Sequence, residues 1–376
     1  MFDDVPLLRT LIIDHFLDTG APDTSAGAVW ARRVGLHGLT SYAYRLATEE
    51  GWDIPVREAL SAASQANARH ALGLAHALGS LATAADGAGV RLLSVKGVVL
   101  SAALHGGDVA RRQSSDIDVV IHPTDLGTVA TLLRDMGYEA DAPWRDWTAD
   151  TFRARATRYH EYGFRHASGT LVEVHTRLTT TFIPFVPAFD ELWLRRQQVR
   201  VGGHWLSTLS WTDTAIHLAT HGYRHAWARL VWLCDIAHLM ARQDMPWPDI
   251  EARARGQREW VATEGAVWLA HRVLGAPLPA DLVPGRRARR AATAVERRLQ
   301  EGRVNPDGRS MLGDQWRSRD DVREQLRYLW RVATTTTPAD APEETRRLPI
   351  GVQLRRPVRL VRRYLAAPGH GRRSRS

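Results

Sequence analysis

Residues 116–123 read DIDVVIHP, and how this run is taken decides the fold. Val119, Val120 and Ile121 are β-branched, and Pro123 stops the run, which is the pattern of a buried strand. Side chains alternate along a strand, so Asp116 and Asp118 share one face while Ile117 and Val119 point into a core. Two parallel carboxylates repel each other unless a cation lies between them. Two-metal phosphoryl-transfer sites use such carboxylates to hold ions about 3.5–4 Å apart, and these hard oxygen ligands suit Mg²⁺ or Mn²⁺. The same residues also fit a strand edge with two solvated aspartates, so the pair alone leaves both readings open.

Working outward, VRLLSV (90–95), between Gly89 and Gly97, reads as another short strand, and VVLSAALHG as a short helix. TDLGTVATLLRDMGY is an amphipathic helix with Thr124 as a cap and Gly137 as its stop. After a Trp-rich linker (142–150), RYHEYGFRH (158–166) and TLVEVHTRL (170–178) read as strands joined by a turn at ASG. In LVEVH, Glu173 alternates with Val172 and Val174. If this strand lies beside 116–121, a third carboxylate joins the first two, as a metal ligand or as general base for an acceptor hydroxyl. Alone, Glu173 suits equally well a partner for one of the many arginines. His175 shares its face, placed to orient the carboxylate or to meet substrate.

Residues 1–88 show helical spacing of apolar side chains, as do residues 208–335. Ser210 with Asp213 forms a capping box there, and further helical pieces are expected near 248–274, 284–302 and 318–334. TTTTPADAPEETRRLP is a linker by composition, so 336–376 reads as linker and basic tail. The expected fold is α+β: a small mixed sheet over 89–207 with helices on one face, flanked by N- and C-terminal helical regions.

The chain has 50 Lys plus Arg, and Lys96 is its sole lysine. It stands before Gly97 at a strand-to-helix turn. Glycine lets backbone approach a phosphate closely, the helix start offers unpaired N–H groups, and lysine supplies a compact point charge. Lys96 is therefore expected to contact a triphosphate.

The run LLSVKGVVLSAALHGGDVARRQSSDIDVVIHP, followed by GTLVEVHTRL, resembles the polymerase-β-type nucleotidyltransferase superfamily. Within it, the chain is most similar to a bacterial group of uncharacterised nucleotidyltransferase-family proteins. VWARRVGLHGLTSYAYRL and HLATHGYRHAWARLVWLCDIAHL are similar to the helical flanks of that group, so the resemblance covers about 25–275. It implies metal-dependent transfer of a nucleotidyl group from an NTP, expected to be ATP, to a hydroxyl or amine. It assigns Asp116 and Asp118 to the metal, Glu173 as third carboxylate, Lys96 and Gly97 to the phosphate turn, and Arg112 with Ser115 to the nucleotide. One departure stands out: Gly97 is followed by Val98, where classical members have Ser or Gly, leaving Ser94, Ser114 and Ser115 as candidate hydroxyls. Some members occur in peptide natural-product pathways, lasso peptides among them, which implies a peptide or small-molecule acceptor. Kinase-like transfer on the same scaffold, and a non-catalytic nucleotide or peptide binder, stay open as alternatives.

Other features carry less. The single cysteine, Cys234, excludes an internal disulfide and a multi-cysteine zinc site, and reads as a small core residue. His217, His221 and His225 form one helical stripe, without the glutamate or cysteine of a zinc motif, and are read as structural or substrate-facing. Asp235, near His238 and Trp232, is placed to pair with that stripe. There is no P-loop, dinucleotide-binding or nucleophile-elbow motif. The acidic N-terminus does not read as a signal peptide, and no apolar run approaches the roughly 18 residues of a membrane span, so a cytoplasmic protein is expected. The net charge of +9 sits largely in the C-terminal tail. With no RNA-binding signature present, nucleic acid is not favoured as a partner.

Overall fold

The computed structural model describes residues 27–180, 183–301, 303 and 305–334. The first 26 residues and the linker and tail expected over 336–376 lie outside the described residues.

The chain opens with helices α1 (Gly27–Leu36), α2 (Thr40–Glu49) and α3 (Ile54–Gly87), the last started by Pro55 in its first turn. Then come β1 (Leu92–Val95), α4 (Gly97–Leu104), β2 (Ile117–Ile121), α5 (Leu126–Asp135), β3 (Tyr138–Ala140) and α6 (Ala149–Ala154). Hairpin β4 (Glu161–His166) and β5 (Leu171–His175) follows, then α7 (Phe189–Leu194) and a second hairpin, β6 (Gln197–Val201) and β7 (His204–Thr208). The C-terminal helices are α8 (Trp211–Arg224), α9 (Val231–Ala241), α10 (Trp247–Gly256), α11 (Trp260–Leu274), α12 (Arg286–Gln300), α13 (Gly308–Arg317) and α14 (Val322–Thr334). Ser210 caps α8, its hydroxyl accepting the Asp213 N–H at 3.2 Å, as the capping box anticipates.

Among the described residues seven strands form one mixed sheet, ordered β3-β4-β5-β2-β1-β7-β6. β2 is parallel to β5 and β1 to β7; the other neighbours are antiparallel. The sheet is larger than the sequence reading, which stops at one hairpin. Helices also cover both of its faces rather than one. Ile117, Val119, Ile121, Val172 and Val174 pack into a core with α3 and α5, while Leu93, Val95 and Val120 pack into another with α8, α9 and α11. The cause is legible in β1 and β2, every residue of which is buried, as strands covered on both sides require.

Two further expectations are corrected. The stretch 142–150 is no linker: Trp144 and Trp147 are buried and pack on Tyr162 of β4, with ring centroids 5.2 and 6.2 Å away. The helix expected over 248–274 breaks between α10 and α11, where Arg258 takes a positive φ of 58°. The break lets buried Glu259 meet Arg319 at 2.5 Å and accept from Thr220 at 3.1 Å.

Candidate active site

The parallel register of β2 and β5 sets Asp118 beside Glu173, and Val120 beside His175. On the other side of β2, Val95 is opposite Asp118. Asp118 and Glu173 thus come forward on one sheet face at the mouth of the β1–α4 turn. Lys96, the residue after β1, brings Nζ to 3.1 Å from Asp118 Oδ1. His175 Nε2 lies 3.0 Å from the same oxygen and 3.8 Å from Glu173 Oε2. One ligand atom each from Asp118, Glu173 and His175 lies within 4.8 Å of the others, a spacing that a single metal ion can span.

Asp116 sits in the bend before the strand, because β2 begins at Ile117. The period-two argument therefore reaches Asp118 but not Asp116. Asp116 is half-buried beside the same space, outside the group of three.

The turn itself is strained. Lys96 has φ 56° and ψ −149°, a region used almost only by glycine, and Gly97 has φ 51°. A Cβ on Gly97 would stand 3.4 Å from the Asp116 carbonyl oxygen, so this turn is pressed against the backbone that carries the acids. Gly97→Ala is expected to cost about 1–2 kcal/mol from its left-handed backbone and to displace Asp116. A thermal melt would show a lowered Tm, and turnover would fall with it.

Burial opposes ionisation of Asp118, but Lys96 and His175 outweigh it and hold its carboxyl well below the usual range. Burial, and then the Asp118 charge, push Glu173 up to about 7. The same two causes raise Asp116. Neighbouring carboxyls are thus held apart in acidity: Asp118 is favoured as the anion, while Glu173 can exchange a proton near neutrality.

These groups line a cavity of about 250 Å³. Lys96, Gly97, Arg112, Ser115, Asp116, Asp118 and Glu173 all border it, as does Ser114, whereas Ser94, the other candidate hydroxyl, is buried within β1 and does not. Arg112 borders it with its guanidinium already engaged: Nε donates to both carboxylate oxygens of Asp235, at 2.9 and 3.0 Å, both side chains being buried. Asp235 therefore meets Arg112 rather than the histidine stripe. Within that stripe, His221 and His225 face the cavity beside Trp232, whose ring lies 4.8 and 5.4 Å from theirs. His217 is buried in a smaller pocket behind Lys96. Burial keeps all three imidazoles uncharged at neutral pH, His225 being lowered to about 3.

Sequence reasoning did not single out Glu161 or Arg229, which also line the cavity. The signal for Glu161 was present: a hairpin centred on Ser168 puts it opposite His175, on the Glu173 face. Arg229 lies in the loop after α8, where no periodicity marks it.

A family model described as uncharacterised nucleotidyltransferase matches residues 23–275, a span that includes every strand of the sheet and the whole cavity lining. No curated protein matches the sequence. Among solved structures, the chain is similar to an antigenic nucleotidyltransferase-like protein from Paracoccidioides brasiliensis, at 14% identity over 55% of this chain and 95% of that one. The TM-score is 0.29, and a likeness that loose carries no argument. The family match covers well over half of the chain and holds the acids, the turn and the cavity together: this protein belongs to the uncharacterised nucleotidyltransferases and is a transferase.

Proposed function

We propose that the chain transfers a nucleotidyl group from an NTP, with ATP the expected donor, to a hydroxyl or amine of a peptide or small-molecule acceptor, with a divalent cation required. The observation that carries this reading is the placement of Asp118 beside Glu173 at the Lys96–Gly97 turn. The donor chemistry fits a cation: carboxylate oxygens with one imidazole nitrogen suit Mn²⁺ or Mg²⁺. Asp118, Glu173 and His175, whose ligand atoms lie within 4.8 Å of one another, would hold it, with Asp116 bordering the same cavity as a further carboxylate. When bound, such an ion neutralises triphosphate charge and favours ionisation of an acceptor hydroxyl.

The chain's own groups then have separate tasks. Lys96 and the free N–H groups at the start of α4 hold the triphosphate. That a lysine is kept in a strained backbone conformation supports a role for its side chain. Glu173, more exposed than Asp118, is placed to receive the acceptor's proton. The acceptor oxygen forms a bond to the α-phosphorus, the bond to the bridging oxygen breaks, and pyrophosphate leaves. Positioning and charge complementarity supply most of the rate.

Incubation with each NTP, Mg²⁺ and candidate peptide or small-molecule acceptors, read by intact mass, tests this. A gain of one nucleoside monophosphate is expected. A gain of phosphate alone would replace the reading with a kinase-like one, and NTP left intact with every acceptor would indicate a binding protein. No helix among the described residues is long and apolar enough to cross a membrane.

A further inference from the structure

We infer that Arg224, at the end of α8, and Arg229, in the loop after it, form the arginine clamp for the donor's triphosphate. This rests on the proposed nucleotidyl transfer and adds the residues that hold its donor. Both guanidiniums belong to residues bordering the catalytic cavity. Both residues are half-buried. Neither has a carboxylate partner among the described residues; Arg224 Nη2 meets only His160 Nε2, at 3.3 Å, and Arg229 Nε is buried without a hydrogen bond.

The fully buried arginines, by contrast, are each matched to an acid: Arg112 to Asp235, Arg298 to Asp314, Arg319 to Glu259. Arg224 feels the charges of Glu161, Glu173 and Asp118, and Arg229 those of Asp116 and Asp235, but none of these acids closes an ion pair with either guanidinium. A guanidinium partly withdrawn from water without a bonded counter-ion is costly, and two bordering one cavity fit a place where a ligand supplies further negative charge. A planar fork of N–H donors suits phosphate oxygens. Arg112 has its Nε committed to Asp235 and so has less to offer.

The local structure holds the two arginines apart on purpose-built backbone. Arg224 ends α8, and Arg229 follows a sharp turn in which Ala226 and Trp227 both take positive φ, 47° and 53°. Trp227 is fully buried in the notch left by Gly222, where a Cβ would come within 2.4 Å of its ring. Tyr223 packs edge-on against it at 5.5 Å. The indole pins the turn, so both guanidiniums reach the cavity from fixed roots. The plainer account of Arg224, a cation soothing a helix C-terminus, does not fit: its guanidinium bonds His160 rather than the last α8 carbonyls. The Arg224 carbonyl itself accepts from Gln315 at 2.8 Å.

The test is ligand-induced stabilisation, with inorganic tripolyphosphate, ATP and adenosine as separate probes. Each variant is compared with its own unliganded melt, which removes any effect of the substitution on folding. Wild-type protein is expected to gain Tm with tripolyphosphate and with ATP. Arg224→Gln and Arg229→Gln are each expected to weaken tripolyphosphate and ATP binding by about tenfold or more, the loss of one charge-assisted contact, while Arg229→Lys retains part of it. Both glutamine variants binding tripolyphosphate as tightly as wild type would overturn the clamp and leave nucleotidyl transfer standing. Wild-type protein that binds neither ATP nor tripolyphosphate would remove the donor reading and the clamp together.

Discussion

Asp118→Asn is expected to reduce nucleotidyl transfer on the order of 10³-fold, the rate equivalent of about 4 kcal/mol of lost charge stabilisation. The substitution keeps the side chain's shape and removes its charge. That charge is the one that Lys96 and His175 both address at 3.1 and 3.0 Å. The replacement asparagine would still occupy the same strand position between Val95 and Glu173, so a cooperative thermal transition should persist. Turnover with saturating NTP and Mg²⁺, measured beside a melt of the same preparation, separates the two effects. A variant that is folded and fully active would remove Asp118 from the chemistry.

Asp235→Ala carries the largest expected change in stability. It would strand the Arg112 guanidinium in a site where both partners are buried. Removing one member of such a pair costs about 3–5 kcal/mol, because the remaining charge has neither water nor counter-ion. The neutral double replacement Arg112→Met with Asp235→Leu should recover much of that loss. Denaturant melts of wild type, both single variants and the double variant would measure the coupling directly. If Asp235→Ala melted like wild type, Arg112 would be free of Asp235 in solution and available for phosphate.

How much of this was readable beforehand depended on the range of the interaction. β2 was visible because VVI is β-branched and stopped by Pro123. The alternation in LVEVH placed Glu173 on a face, and the structure adds that this face meets Asp118 in register. The hairpin β6–β7 carried its own mark, Gly202-Gly203 with positive φ at both residues, the two-residue turn that suits twisted strands. It was hidden because only alternate residues such as Val201 and Leu206 are buried, leaving a weak apolar signal. Trp144 and Trp147 read as linker because nothing local shows which surface will cover them; it is Tyr162, well downstream, that does. The match of Arg112 to Asp235 spans 123 positions and has no local signature at all. Neither does the lack of an ion pair at Arg229, which depends on how the loop after α8 is set against the cavity.

The proposed transfer requires a divalent ion held at Asp118 beside the Lys96–Gly97 turn. The most direct measurement is anomalous diffraction from crystals grown with Mn²⁺ and a non-hydrolysable NTP analogue. The expected result is a manganese peak about 2.0–2.2 Å from an Asp118 carboxylate oxygen, with the triphosphate running from it toward Lys96. Manganese bound elsewhere, with Asp118 still engaged only by Lys96 and His175 while the nucleotide is present, would contradict it.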